Sequence, residues 1–203
     1  MYTVPSVPWV PTREEVLSVI LSLLNLKPGD VFYDIGCGDG RVAVGVARNF
    51  TGVRVKCIEA KEELVYKAKA NAASAGVRID VINADFFNYW LGDANVIYMY
   101  LLTSVNHKLK PKFEEELRPG TLILSLDFPI PGWNPLAQVE LPRSWQRTIY
   151  IYVKGYSDYH STPSATHLLK AVMEGVKRLN TAQLPPTERE RLLRFTSSGG
   201  KPG

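Results

Sequence analysis

The chain has 203 residues, 45% of them apolar and 22% charged, with a formal net charge of +4. That length suits one domain plus an appendage with a proper core, and the composition is ordinary for a soluble globular protein. No apolar run approaches the ~20 residues that span a bilayer, and the N-terminal MYTVPSVPWVPTREE lacks the basic and apolar regions of a secretory signal. Residues 12–26, TREEVLSVILSLLNL, place Val16, Leu17, Ile20, Leu23 and Leu24 on one helical face. Thr12 and Glu15 are spaced as a capping box, and Pro28-Gly29 ends the helix. A strand follows at 31–35, a helix at 39–49, a strand at 53–60 and a helix at 61–75 closed by Gly76. Further strands are expected at 79–84, 95–101, 121–128, 137–141 and 147–155, with a helix over 103–117 that Pro111 should break or kink. Strands alternating with helices predict an α/β, Rossmann-like, seven-stranded sheet, mostly parallel, with helices on both faces and an antiparallel last strand.

The character changes after residue 155. SDYHSTPS reads as a linker and ATHLLKAVMEGVKRLN as an amphipathic helix carrying Leu168, Leu169, Val172, Val176 and Leu179 on one side. TERERLLRF, 187–195, is expected to be a second, capped and charged helix, and the terminal TSSGGKPG to be disordered. The chain therefore divides into 1–155, with residues 1–11 as an arm, and a helical extension, 156–203. From Tyr156 onward seven Lys or Arg stand against four Asp or Glu, so most of the positive charge belongs to the extension. It could pack on the domain, mediate dimerisation or contact nucleic acid; a monomer is expected. Cys37 and Cys57 have no CxxC spacing and read as two small thiols in a reducing compartment. With His107, His160 and His167 scattered, the chain reads as cytoplasmic and free of metal.

The chemistry concentrates in VFYDIGCGDGRVA, 31–43. A Walker loop needs Lys-Ser/Thr after its last glycine, and Gly40 is followed by Arg41-Val42. A dinucleotide fingerprint reads GxGxxG, whereas Gly36, Gly38 and Gly40 are spaced GxGxG. Asp34 at the head of the loop suits a ligand bearing an ammonium and a sulfonium, and would repel a diphosphate. Glu59 ends the second strand, placed for two ribose hydroxyls. Asp85 ends the third, placed for an adenine amino group, with Phe86 beside it to stack on the ring. Each acid falls about one βα unit after the last, which brings all three to the carboxyl edge of the sheet. The set points to S-adenosylmethionine.

VFYDIGCGDGRVA, CIEA (57–60) and NADFF (83–87) resemble the first three cofactor motifs of the class I, seven-stranded, S-adenosylmethionine-dependent methyltransferases. VPSVPWVPTREEV ahead of the first helix, YLLTSVN (100–106), LKPKFEEELRPGT (109–121) and FPIPGWNP (128–135) are similar to the small archaeal protein-lysine methyltransferases, relatives of the mitochondrial ones. The resemblance spans residues 2–155. It implies transfer of methyl groups to lysine side chains of cellular proteins, with Trp9, Thr12 and Ala60 joining the cofactor contacts. Trp9 stands where family members usually carry Tyr. Tyr98, Tyr100, Leu101 and Leu102 are expected to wall the lysine channel, Tyr100 nearest the reacting atoms, with Trp133 closing over it. Tyr98 and Tyr100 read equally as core aromatics. YLLT in place of the Asn/Asp-Pro-Pro-Tyr that binds planar amino groups disfavours adenine, cytosine and glutamine acceptors. An RNA methyltransferase, a cofactor-binding protein without turnover and an NAD oxidoreductase remain the alternatives.

Overall fold

The computed structural model describes residues 9–142, 144–159 and 164–200. Pro5 and Pro8 of the arm, His160 in the linker and the terminal residues 201–203 lie outside them. Seven strands, β1 (Val31–Ile35), β2 (Arg54–Glu59), β3 (Asp80–Asn83), β4 (Val96–Met99), β5 (Leu122–Leu126), β6 (Ala137–Glu140) and β7 (Thr148–Val153), form one sheet in the order β3-β2-β1-β4-β5-β7-β6. The first five are parallel; β7 runs antiparallel between β5 and β6. Every residue of β1, β4 and β5 is buried, as expected of central strands covered on both faces. Strand order reverses between β1 and β4, so the carboxyl ends of those strands splay apart and leave a crevice.

On one face lie α1 (Glu14–Leu23), α2 (Arg41–Asn49) and α3 (Glu62–Ser74), packed on Phe32, Val55, Cys57 and Tyr98. On the other, α4 (Thr103–Glu116) buries Val105, Leu109 and Phe113 against Tyr33, Ile97 and Ile123. Pro111 sits inside α4, which continues through it, so of the expected break or kink the break does not occur. The apolar stripe on either side of the proline anchors both halves of the helix to one core and outweighs the lost backbone bond. α1 also begins later than its capping signal: Arg13 is the N-cap without a side-chain bond, and Thr12 is used elsewhere.

The extension packs on the α1 face. α5 (Ala165–Gly175) lies across β7, so close that a Cβ on Gly175 would fall 2.7 Å from Val153. Leu24 pairs with Leu179, and Asp30 holds Arg178 at 2.9 Å, tying the turn after α5 to the end of α1. α6 (Pro186–Ser197) starts with proline at its first position instead of a side-chain cap. It buries Leu192 and Phe195, the latter edge-on to Tyr156. α6 also outruns its predicted end, since Thr196 and Ser197 are helical and the Gly200 amide donates to the Phe195 carbonyl. Among the described residues, no helix is long and apolar enough to cross a membrane.

Candidate active site

The glycine loop leaves β1 and doubles back over β2. Gly36 and Cys37 both donate their amides to the Ile58 carbonyl, at 2.9 and 3.1 Å. Glu59 fixes the next turn, one carboxylate oxygen accepting from the Gly38 amide and the other from the Lys61 amide, each at 2.9 Å. Gly40 caps α2 in the left-handed region, φ +75°. The expectation of free thiols is wrong here: Cys37 and Cys57 form a disulfide, their Cα atoms 5.4 Å apart. Parallel pairing sets Asp34 opposite Cys57, so the loop three residues beyond Asp34 turns directly over that strand. A sequence separation of 20 concealed this adjacency.

Asp34 is 2% exposed, and its carboxylate accepts from the Ala43 amide at 3.2 Å. Burial pushes its carboxyl up to about 8, with the nearby charges of Asp39 and Glu59 adding to the rise and the Ala43 bond opposing it. A buried acid in this condition is a receptor for positive charge, because a cation beside it stabilises the ionised form.

A cavity of about 450 Å³ opens above the carboxyl ends of β1, β2 and β4, within the usual range for small-molecule sites. Of the residues anticipated from sequence, Asp34, Gly36, Glu59, Ala60 and Phe86 line its β1–β2 side. Trp9, Thr12, Tyr98, Tyr100, Leu101 and Leu102 line the rest. Gly38 acts through its backbone and leaves room for Trp9, since a Cβ there would meet the indole nitrogen at 2.0 Å. The Arg41 guanidinium lies 5.9 Å from the centre of that ring. Gly40 and Asp85 are not part of the wall; the Asp85 carboxylate accepts from the Phe87 amide and closes its own turn.

Trp133 does not close over this cavity. A tight turn bonds its amide to the Ile130 carbonyl and folds the indole against Phe113 and Tyr152 on the α4 side, where its ring nitrogen donates to Glu114. The spacing in FPIPGWNP revealed a turn but not the direction in which it delivers the ring.

The second half of the cavity is aromatic. The Tyr98 hydroxyl bonds to the Thr12 hydroxyl at 2.7 Å, which gives Thr12 the role that the capping reading had missed. Burial raises the Tyr98 hydroxyl well above its ordinary pKa, so it stays protonated. Tyr100 stacks on Phe128 with ring centres 5.9 Å apart. Gln146, fully buried just before β7, holds the arm by accepting from the Arg13 amide and donating to the Pro11 carbonyl. Neither Phe128 nor Gln146 stood out in the sequence. The proximity of FPIPGWNP to a strand end was a signal for Phe128; Gln146 carries none, as its partners lie more than 130 residues away.

A doubly wound sheet with a left-handed glycine loop, a buried acid at its head and an acid holding that loop at the end of β2 defines a class I methyltransferase. The chain matches the ANTKMT methyltransferase domain over residues 34–137 and belongs to that family. A protein-lysine N-methyltransferase of Saccharolobus islandicus is 39% identical over 158 residues, which cover 98% of that protein and 76% of this chain. The adenine nucleotide translocase lysine N-methyltransferase of Mus musculus is 33% identical over 136 residues, 58% of its length and 66% of this chain's. Among solved structures, an RNA methyltransferase from Salinibacter ruber in complex with S-adenosylhomocysteine superposes with a TM-score of 0.67 at 37% identity. It covers 76% of this chain, which in turn covers 97% of it. The protein is an S-adenosylmethionine-dependent methyltransferase. The residues present fit that cofactor: the cavity has the volume, Asp34 supplies a buried negative site, and Phe86 offers a ring face. Each Glu59 oxygen, already taking one amide, keeps a lone pair for a hydroxyl.

Proposed function

We propose that the enzyme methylates the ε-nitrogen of lysine side chains in other proteins. The observation that carries the reading is the wall opposite the cofactor side, where Tyr98, Tyr100, Phe128, Leu101 and Leu102 make a passage suited to an alkyl chain. The lysine-methylating relatives support it. The cofactor supplies a methyl group on a sulfonium, and the acceptor must present a neutral nitrogen in line with it. In water only about 1 in 2,500 lysines is neutral at pH 7. Apolar walls lower that amine's pKa by desolvation. Tyr98, locked by Thr12, and Tyr100, stacked on Phe128, hold the passage in one shape, and alignment supplies much of the acceleration. No dedicated base is required by this arrangement.

Trp9, Thr12, Asp34, the glycine loop, Glu59, Ala60 and Phe86 form the cofactor half in this reading, and Tyr98, Tyr100, Leu101 and Leu102 the acceptor half. Residues 1–155 are the methyltransferase domain. The described part of the extension, through α5, is a cover for β7, and the enzyme works as a monomer in the cytoplasm of an archaeal cell. An intracellular disulfide agrees with that placement if the source is hyperthermophilic. An RNA acceptor is the second reading, favoured by the description of the Salinibacter ruber protein. Against it, Arg191 and Arg194 of α6 are engaged by Glu188 and Glu190, which reduces the charge they offer to phosphate. Incubation with methyl-labelled cofactor and either total protein or stripped RNA tests the choice: label is expected in protein, and label confined to RNA would reverse the assignment.

A further inference from the structure

The glycine loop is fastened to β2 at three successive residues. The Cys37 sulfur is bonded to that of Cys57, the Gly36 and Cys37 amides donate to the Ile58 carbonyl, and the Gly38 amide donates to the Glu59 carboxylate. The Cys37 carbonyl in turn accepts from the Gly40 amide at 2.9 Å, where α2 begins. The two cysteines stand in different surroundings. Cys57 is fully buried and sealed on one side by Gly40 and Ala68: a Cβ on Gly40 would meet the Ala68 Cβ at 2.9 Å and the Cys57 sulfur at 3.7 Å. Cys37 lines the cofactor cavity. A reductant therefore approaches the bond from the cavity, through the space the cofactor fills. Once the bond is cut, the two sulfurs can no longer sit at bonding distance and must part. Cys57 has no room to withdraw in a close-packed interior, so the displacement falls on Cys37 and the loop that carries it.

We propose that the Cys37–Cys57 disulfide is a redox control on cofactor binding: the oxidised pair holds the glycine loop in the shape that takes S-adenosylmethionine, and a dithiol releases it. The control acts on the cofactor half and is independent of which acceptor is methylated. In the exchange a thiolate of the dithiol attacks the Cys37 sulfur, the Cys37–Cys57 bond breaks, and Cys57 leaves as a thiolate that takes up a proton. The second thiol of the dithiol, deprotonated, then displaces Cys37 from the mixed disulfide, and Cys37 takes up a proton in its turn. The dithiol ends as its own disulfide, having given two electrons to the protein. The coupling is reciprocal: whatever factor reduction takes from cofactor affinity, bound cofactor must take from the tendency of the pair to be reduced.

The test measures both sides of that linkage with S-adenosylhomocysteine as the probe. Calorimetric titration of the oxidised and the dithiothreitol-reduced protein should show affinity about 5- to 150-fold weaker after reduction. In buffers of reduced and oxidised dithiothreitol, with thiols alkylated and counted by mass spectrometry, saturating probe should shift the thiol–disulfide equilibrium toward the disulfide by the same factor. Cys37→Ala with Cys57→Ala should bind as weakly as the reduced wild type and should not respond to dithiothreitol. Circular dichroism sets a temperature at which the reduced chain is folded. Should there be none, the rate at which dithiothreitol reduces the folded, oxidised protein carries the test, and saturating probe should slow it at least fivefold. A folded, reduced protein that binds within about twofold of the oxidised one makes the bond a staple of the fold only and overturns the assignment. An equilibrium or a reduction rate indifferent to the probe overturns it equally.

Discussion

The two halves of the cavity are held in shape by different kinds of bond. On the β1–β2 side the wall is local and rigid: backbone amides turn onto Ile58, Glu59 spans two amides, and Cys37 is bonded covalently to Cys57. On the β4–β5 side the wall is assembled from remote segments, with Thr12 reaching Tyr98, Gln146 reaching the arm and Asp127 held by β7. A site for an invariant cofactor can be built once into a strand–loop–helix unit. A site for a protein side chain must open to a large partner, and the exposed Val10 and Leu102 at its rim fit that need.

The largest effect that would separate the halves is expected at Asp34. D34N should weaken cofactor binding about 100-fold or more, the usual consequence of removing one partner of a buried charge pair, as titration calorimetry would read. The unliganded protein should respond in the opposite sense. With its carboxyl at about 8, folded Asp34 holds a proton between about pH 4 and 8 that the unfolded chain has released. Its contribution to stability is therefore full below about pH 4 and is lost as pH rises through 8. D34N should flatten that slope and melt higher than wild type at pH 8. By the same linkage, affinity for the cationic cofactor should rise with pH up to about 8; an affinity that is flat from pH 6 to 8 would refute the burial account.

A smaller effect is expected from the disulfide. Closing a loop of about 20 residues stabilises the folded state by about 3 kcal/mol. Cys37→Ala with Cys57→Ala should then lower Tm by about 6–12 °C and loosen the glycine loop, measured by calorimetry and by hydrogen exchange at Gly36 and Gly38. Peptide KM should hold, because the acceptor wall does not depend on the link. The smallest effect belongs to the other half. Q146A removes two hydrogen bonds to the arm, about 1 kcal/mol each, and should cut kcat/KM for a lysine peptide about 10- to 30-fold; cofactor affinity, which the arm reaches only through Trp9 and Thr12, should fall less than about threefold. A uniform loss in both measurements would dissolve the distinction between the halves.

The same division governs what could be read from the sequence. Strand, glycine loop and helix are contiguous, so Asp34, Gly36 and Glu59 were found by spacing, and the seven strands by their apolar runs. The acceptor half depends on contacts between residues far apart in the chain. Gln146 meets Pro11 and Asp127 meets Thr148 there, and in the cofactor half Cys37 meets Cys57 beside the β1–β2 pairing; none of these leaves a local pattern. Thr12 and Pro111 show the complementary error. Both carry strong local signals, for a cap and for a break, and in both tertiary packing decides otherwise.

The central claim is that this cavity brings the sulfonium to a lysine nitrogen. Tandem mass spectrometry of proteins methylated by the purified enzyme tests it at the level of the atom. The account predicts methyl groups on lysine ε-nitrogens, present with the wild type and absent with D34N. Methylation confined to another residue type, or to RNA nucleosides, would contradict it.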